Sequence, residues 1–96
     1  SGGIKLSIEE MEGKLASLGL RFQLTAVPDE RLGEAVTLLY EAEAEQTAAL
    51  EEACRRLLDR YEVPRHYFRV DTLPQTETGK PARAAARQLA LRKWKE

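Results

Sequence analysis

Apolar residues recur along this chain with two different periods, and the changes of period divide it into elements. Ser7 followed by Glu10 has the spacing of a reciprocal helix N-terminal cap. Ile8, Met11, Leu15 and Leu18 then fall on one side of a 3.6-residue repeat. The spacing predicts a helix over 8–18, stopped by Gly19. RFQLTAV (21–27) switches to a period of two, with Phe22, Leu24 and Ala26 on one face and Arg21, Gln23 and Thr25 on the other. This predicts a half-buried strand. Pro28-Asp29-Glu30 predicts a turn, and Gly33 a second bend before the strand EAVTLLYEA (34–42). From Gln46 to Tyr61 the helical period returns, through Leu50, Ala53/Cys54, Leu57/Leu58 and Tyr61. Val63-Pro64 should end that helix, because proline disfavours helical angles in the residue before it. HYFRV (66–70) reads as a third short strand. After the loop DTLPQTETGKPAR (71–83), residues from Ala82 onward are strong helix formers. Residues 1–6 read as extended. The order helix, strand, strand, helix, strand, loop, helix predicts an α+β domain, a small sheet of about three strands with helices packed on it.

Composition narrows the class of function. Ninety-six residues suit one domain, burying roughly two-thirds of the surface its unfolded chain exposes. Fifteen basic residues face sixteen acidic ones, a balance that argues against a dedicated nucleic-acid binder. Cys54 is the single cysteine, so an internal disulfide is excluded and no Cys/His cluster predicts a metal site. The apolar runs are too short to span a bilayer, and no signal-peptide pattern is visible. The expected compartment is the cytoplasm. The chain opens with Ser1-Gly2-Gly3, and its one methionine is Met11; the expectation is a piece of something longer, cut in the middle of a loop.

The loop at 71–83 raises the question of chemistry. Pro74, Thr76, Thr78 and Gly79 lead to one lysine, Lys80, with Pro81 behind it. Lysine is a compact cation at neutral pH on a flexible stem. Glycine permits close backbone approach, the threonines offer short hydroxyl contacts, and Pro81 restricts Lys80 to extended angles. Together they aim a positive charge outward, toward a phosphate or carboxylate. An isolated T-G-K would ordinarily be a solvated surface turn.

Two further stretches change that reading. GGIKLSIEEME near the start, VPDERLGEAV in the middle and YEVPRHYFRVDTLPQTETGKPAR follow one another along the chain. In this order the chain resembles, over essentially its whole length, the C-terminal domain of the acyl-adenylate-forming enzymes. These include acyl-CoA synthetases, peptide-synthetase adenylation domains and luciferases. The closing motif of that family, approximately L-P-x-T-x-x-G-K-x-x-R, is matched by Leu73, Pro74, Thr76, Gly79, Lys80 and Arg83. Pro81 and Ala82 depart from it.

The resemblance implies that residues 1–96 form a mobile C-terminal lid, with 1–6 the end of the hinge and glycine strand and 71–83 the catalytic-lysine loop. Lys80 would be the adenylation lysine, supported by Thr76, Thr78 and Gly79. Gly2 and Gly3 would line the passage for the pantetheine thiol of CoA, and Arg83 would be available for a phosphate contact. ATP, Mg²⁺, CoA and the carboxylic acid would be bound mainly by the enzyme's own N-terminal domain, and the lid alone would be inactive. SGGIKLSIEEME most resembles the o-succinylbenzoate–CoA ligases of menaquinone synthesis. The alternatives are a peptide-synthetase-type domain loading a carrier protein, or a non-catalytic interaction module. Neither a nucleic acid nor a membrane is expected as a partner.

Other residues carry structural expectations. A turn between strands accounts for Pro28, Asp29, Gly33 and Glu34. Cys54, on the apolar side of a helix, and His66, on the strand face of Phe68 and Val70, are expected to be inert. Arg83, Arg87, Arg92, Lys93 and Lys95 make the last helix basic, which suits a solvated face and the helix dipole.

Overall fold

The computed structural model describes residues 6–31, 33–41 and 46–96. In chain order the elements are helix α1 (Ile8–Lys14), a 3-10 turn (Ala16–Leu18), strands β1 (Phe22–Asp29) and β2 (Gly33–Tyr40), helix α2 (Thr47–Leu57), strand β3 (His66–Arg69) and helix α3 (Arg83–Lys95). The predicted α+β class and element order are present. β1 and β2 form an antiparallel hairpin, from Phe22 opposite Tyr40 to Asp29 opposite Gly33. β3 runs parallel to β2 with Thr37 opposite His66, giving a mixed sheet in the order β1-β2-β3.

Ser7 Oγ accepts from the Glu10 amide at 3.3 Å, which starts α1 where the cap spacing placed it. The helix then tightens. Leu15 leaves α-helical geometry, a single 3-10 turn follows, and Gly19 ends it with φ of 72°. The interior explains why the register survives: Met11 and Leu15 are buried with Leu24, Leu38, Tyr40, Leu50, Cys54 and Leu58 between α1, α2 and one face of the sheet.

The other face of the sheet overturns an expectation. Gln23 and Thr25, expected at a solvated surface, are 3% and 8% exposed. α3 covers that face, joining Val27, Ala35, Leu39, Val70 and Leu73 in a second core through Ala86 and Ala90. Alanines at these two positions let the helix axis approach the sheet closely. The strand alternation is correct, but both of its faces are interior.

α2 also ends early. Leu58 is extended, and Asp59–Glu62 forms a turn in which the Glu62 amide donates to the Asp59 carbonyl at 2.8 Å and the Asp59 amide donates to Glu62 Oε1 at 2.8 Å. Lys14 Nζ donates to the same carboxylate oxygen at 2.7 Å. That turn replaces the last helical turn, so Tyr61, predicted on the apolar face, stands 60% exposed. The first sheet turn is displaced in the opposite sense. β1 runs through Pro28 to Asp29, and an Asx turn from the Arg31 amide to Asp29 Oδ1 at 2.9 Å reverses the chain.

β1 lies at the edge of the sheet, where unpaired backbone groups invite pairing with other chains. Charged side chains occupy them. Glu12 Oε2 accepts from the Leu24 amide at 3.1 Å, and Arg87 Nη1 donates to the Ala26 carbonyl at 3.1 Å and to Glu34 at 2.6 Å. Pro28 has no amide proton to present. Two of the five basic residues assigned to a solvated helix face, Arg83 and Arg87, therefore close the sheet edge instead.

Candidate functional site

The loop at 71–83 is a second small hairpin that rises from the sheet. Leu73, 4% exposed, roots it in the α3-side core. The Leu73 amide donates to Glu41 Oε2 at 2.6 Å. The neighbouring Pro74 carbonyl accepts both from Gln23 Nε2 at 2.6 Å and from the Ala82 amide at 3.2 Å. Gln75 and Pro81 form an antiparallel bridge. Nearer the tip, the Thr76 amide donates to the Lys80 carbonyl at 2.7 Å and the Gly79 amide to the Thr76 carbonyl at 2.9 Å.

The threonines and glycine have separable roles. Thr76 Oγ1 accepts from the Lys80 amide at 3.2 Å and shares a hydrogen bond with Thr78 Oγ1 at 3.1 Å, so both hydroxyls stiffen the turn. Gly79 has φ of 82°, a left-handed angle that L side chains adopt at a cost. A Cβ there would meet nothing within 4 Å, so within this chain the backbone angle alone demands glycine. Pro81 then holds the chain extended into α3.

Lys80 stands exposed at the end of this mount. Among the described residues its ammonium has no ion-pair partner. A fixed backbone thus carries an uncommitted cation, able to approach an anion held by another body. Thr76, Thr78, Gly79 and Lys80 are brought together as the loop pattern required. Gly2 and Gly3 lie outside the described residues.

Arg83, the first residue of α3, is engaged elsewhere. Its two terminal nitrogens donate to the two carboxylate oxygens of Glu12 at 2.8 Å each, a bidentate geometry that guanidinium groups favour. The hydrogen bond that Arg83 donates to Glu12 is the main cause raising the pKa of Arg83. Glu12 in turn caps β1, so Arg83 ties the far end of the lysine hairpin to α1.

Three residues of this arrangement carried no signal in the sequence. Gln23 and Glu41 meet the hairpin base from positions 51 and 32 residues away. Glu12 meets Arg83 across 71 residues. Cys54 is fully buried, and burial is the main cause pushing its thiol above the usual range. A reactive thiolate is disfavoured there. His66 stacks on Phe68 with ring centroids 5.8 Å apart. Among the described residues, no group of three or more His, Cys, Asp or Glu is placed to hold a metal ion, and no helix is long and apolar enough to cross a membrane.

Residues 24–80, more than half of the chain, match the family model of the AMP-binding enzyme C-terminal domain, and the match ends on Lys80. The chain belongs to that family. An AMP-binding enzyme C-terminal domain also accounts for its similarity to the 3-oxocholest-4-en-26-oate–CoA ligase of Rhodococcus rhodochrous. The two are 36% identical over 86 residues, covering 84% of this chain and 16% of that enzyme. The fold is similar to that of a fatty acyl-CoA synthetase from Mycobacterium tuberculosis, with TM-score 0.81 and 24% identity over 97% of this chain and 19% of the other. It is also similar to MatB from Rhodopseudomonas palustris solved with ATP bound, with TM-score 0.76 and 22% identity over 92% and 18%. The three-stranded mixed sheet with three helices is the fold of this domain in adenylate-forming enzymes.

Proposed function

We propose that this chain is the lid of an ATP-dependent acyl-CoA ligase and that Lys80 acts in its first half-reaction, formation of the acyl-adenylate. The carrying observation is the exposed Lys80 ammonium, unpaired among the described residues, on a hairpin anchored in the sheet. In adenylation a carboxylate attacks the α-phosphate of ATP, so two anions approach before a bond forms. A preorganised ammonium between them stabilises the charge that develops on the transferring group. The hairpin bonds fix the backbone beforehand, and little reorganisation is left to the moment of reaction.

In this reading a large N-terminal domain binds ATP and the acid. In the same reading that domain also holds Mg²⁺, as the family resemblance implies. After adenylation the lid turns to present Gly2 and Gly3 to the thiol of CoA. The resemblance of residues 1–12 favours o-succinylbenzoate as the acid, whereas the curated relative is named for another acid. The acid pocket belongs to the N-terminal domain in this reading, and assays of the full-length enzyme with a panel of acids decide the substrate.

The test of the mechanism is Lys80→Ala in the full-length enzyme, with the two half-reactions followed separately. Acyl-adenylate formation should fall by roughly a hundredfold or more, corresponding to about 3 kcal/mol of barrier. Thioester formation from supplied acyl-adenylate should persist. Adenylation at the parental rate would refute the assignment.

A further inference from the structure

We propose that Gln23 is a positioning residue for Lys80, an inference that rests on the adenylation reading of that lysine. Beyond Leu73, the lysine hairpin stands off from the start of β1. A cleft of about 180 Å³ separates them, lined by Leu20, Phe22, Gln23, Leu73, Gly79 and Pro81 among others. Polar contacts at the base of the hairpin therefore set the direction in which it leaves the sheet.

Gln23 makes the central one. Its Nε2 donates to the Pro74 carbonyl at 2.6 Å, the oxygen that also receives the Ala82 amide and so joins the two arms of the hairpin. Lys80 sits at the far end of those arms, where a small rotation at Pro74 becomes a larger displacement of the ammonium. Glu41 fixes the adjacent Leu73 amide at 2.6 Å, but Leu73 is also held by the core, whereas Pro74 has left it.

The other end of the same amide argues against a purely stabilising role for Gln23. Gln23 is 3% exposed, and among the described residues its Oε1 is buried without a hydrogen-bond partner. A buried amide satisfied on one side only serves a fold less well than an apolar side chain of the same shape. Methionine would fill the position with equal or better stability. What glutamine supplies, and methionine cannot, is the donor that orients Pro74.

The test uses the full-length enzyme with Gln23→Met, Lys80→Ala and the double variant. Acyl-adenylate formation, thioester formation from supplied adenylate and Tm are measured on each. Gln23→Met should slow adenylation by about ten- to a hundredfold, as misplacement of a reacting group by a fraction of its length does. Thioester formation should stay within about twofold, and Tm should be equal or higher. If Gln23 acts through Lys80, adding Gln23→Met to Lys80→Ala should slow adenylation no further. Unchanged adenylation in Gln23→Met, or a joint loss of both half-reactions with a lower Tm, would overturn the inference. Additive losses in the double variant would do so as well. Unaffected adenylation in Lys80→Ala would instead overturn the reading on which the inference stands.

Discussion

Two tight turns in this domain share their local chemistry and differ in what holds them. The β1–β2 turn and the lysine hairpin each contain a glycine at a left-handed angle, Gly33 with φ of 83° and Gly79 with φ of 82°. Around each, a Cβ would find open space. The tip of the β1–β2 turn is closed by neighbours, through the Asx contact of Asp29 with the Arg31 amide and the continuous ladder behind it, with Arg87 reaching only the strands that flank it. The lysine hairpin has only a single bridge of its own and is tied down by Gln23 and Glu41 from the sheet. Fastening by remote side chains fixes a loop relative to the whole body of the domain, whereas a ladder fixes it relative to its own strands. The proposed role of Lys80, meeting an anion on another body, calls for the first kind of support.

The sharpest way to break this comparison is at the root of the hairpin. Leu73→Ala removes a buried side chain from the α3-side core and should destabilise the chain by about 3 kcal/mol, read from its denaturant midpoint. A loss as small as that of an exposed leucine would mean that the hairpin is not rooted in the core.

The two glycines sharpen it. Gly33→Ala and Gly79→Ala each force an L side chain to a left-handed angle and should cost about 1 kcal/mol of stability. Their effects on chemistry should diverge in the full-length enzyme. Gly79→Ala should slow acyl-adenylate formation by about tenfold, and Gly33→Ala should leave it unaltered. Equal effects on that half-reaction would erase the distinction between the turns.

The smallest effect tests whether remote tethering alone marks a functional loop. The turn at Asp59–Glu62 is also held from afar, by Lys14, yet it presents no lysine. Burial works against the charge of Glu62, but the hydrogen bonds from Lys14 and the Asp59 amide outweigh it and hold the carboxyl below its usual range. The contact with Glu62 raises the pKa of Lys14. A carboxyl lowered on folding stabilises above its unfolded-state value near 4.5, and this is lost as pH falls through the folded value. An ammonium raised on folding stabilises fully below 10.5, and this is lost as pH rises through the folded value. Glu62→Gln should therefore flatten both the acid and the alkaline limbs of stability against pH, with no effect on either half-reaction. An unchanged acid limb would show that the ion pair is not formed.

Periodicity located every helix and strand to within a few residues, because each element must keep its apolar positions in step with its own repeat. The helix predicted to Tyr61 ended at Leu57 because Lys14, distant in sequence, stabilises Glu62 in a competing turn. The motif likewise located Lys80 and the residues that shape its turn, since Thr76, Thr78 and Gly79 act within the loop itself. Gln23 read as a solvent-facing strand residue, and nothing adjacent to it says otherwise.

The sequence by itself determined the elements, their order, the left-handed turn and the lysine it carries, because these depend on backbone angles and on residues close along the chain. The tertiary structure alone decided that α3 seals the second face of the sheet, that Glu12 engages Arg83, and that Gln23 and Glu41 clamp the hairpin. Those contacts join residues 32 to 71 positions apart. Their partners are brought together only when the sheet and helices pack, so no local pattern in the chain can encode them visibly.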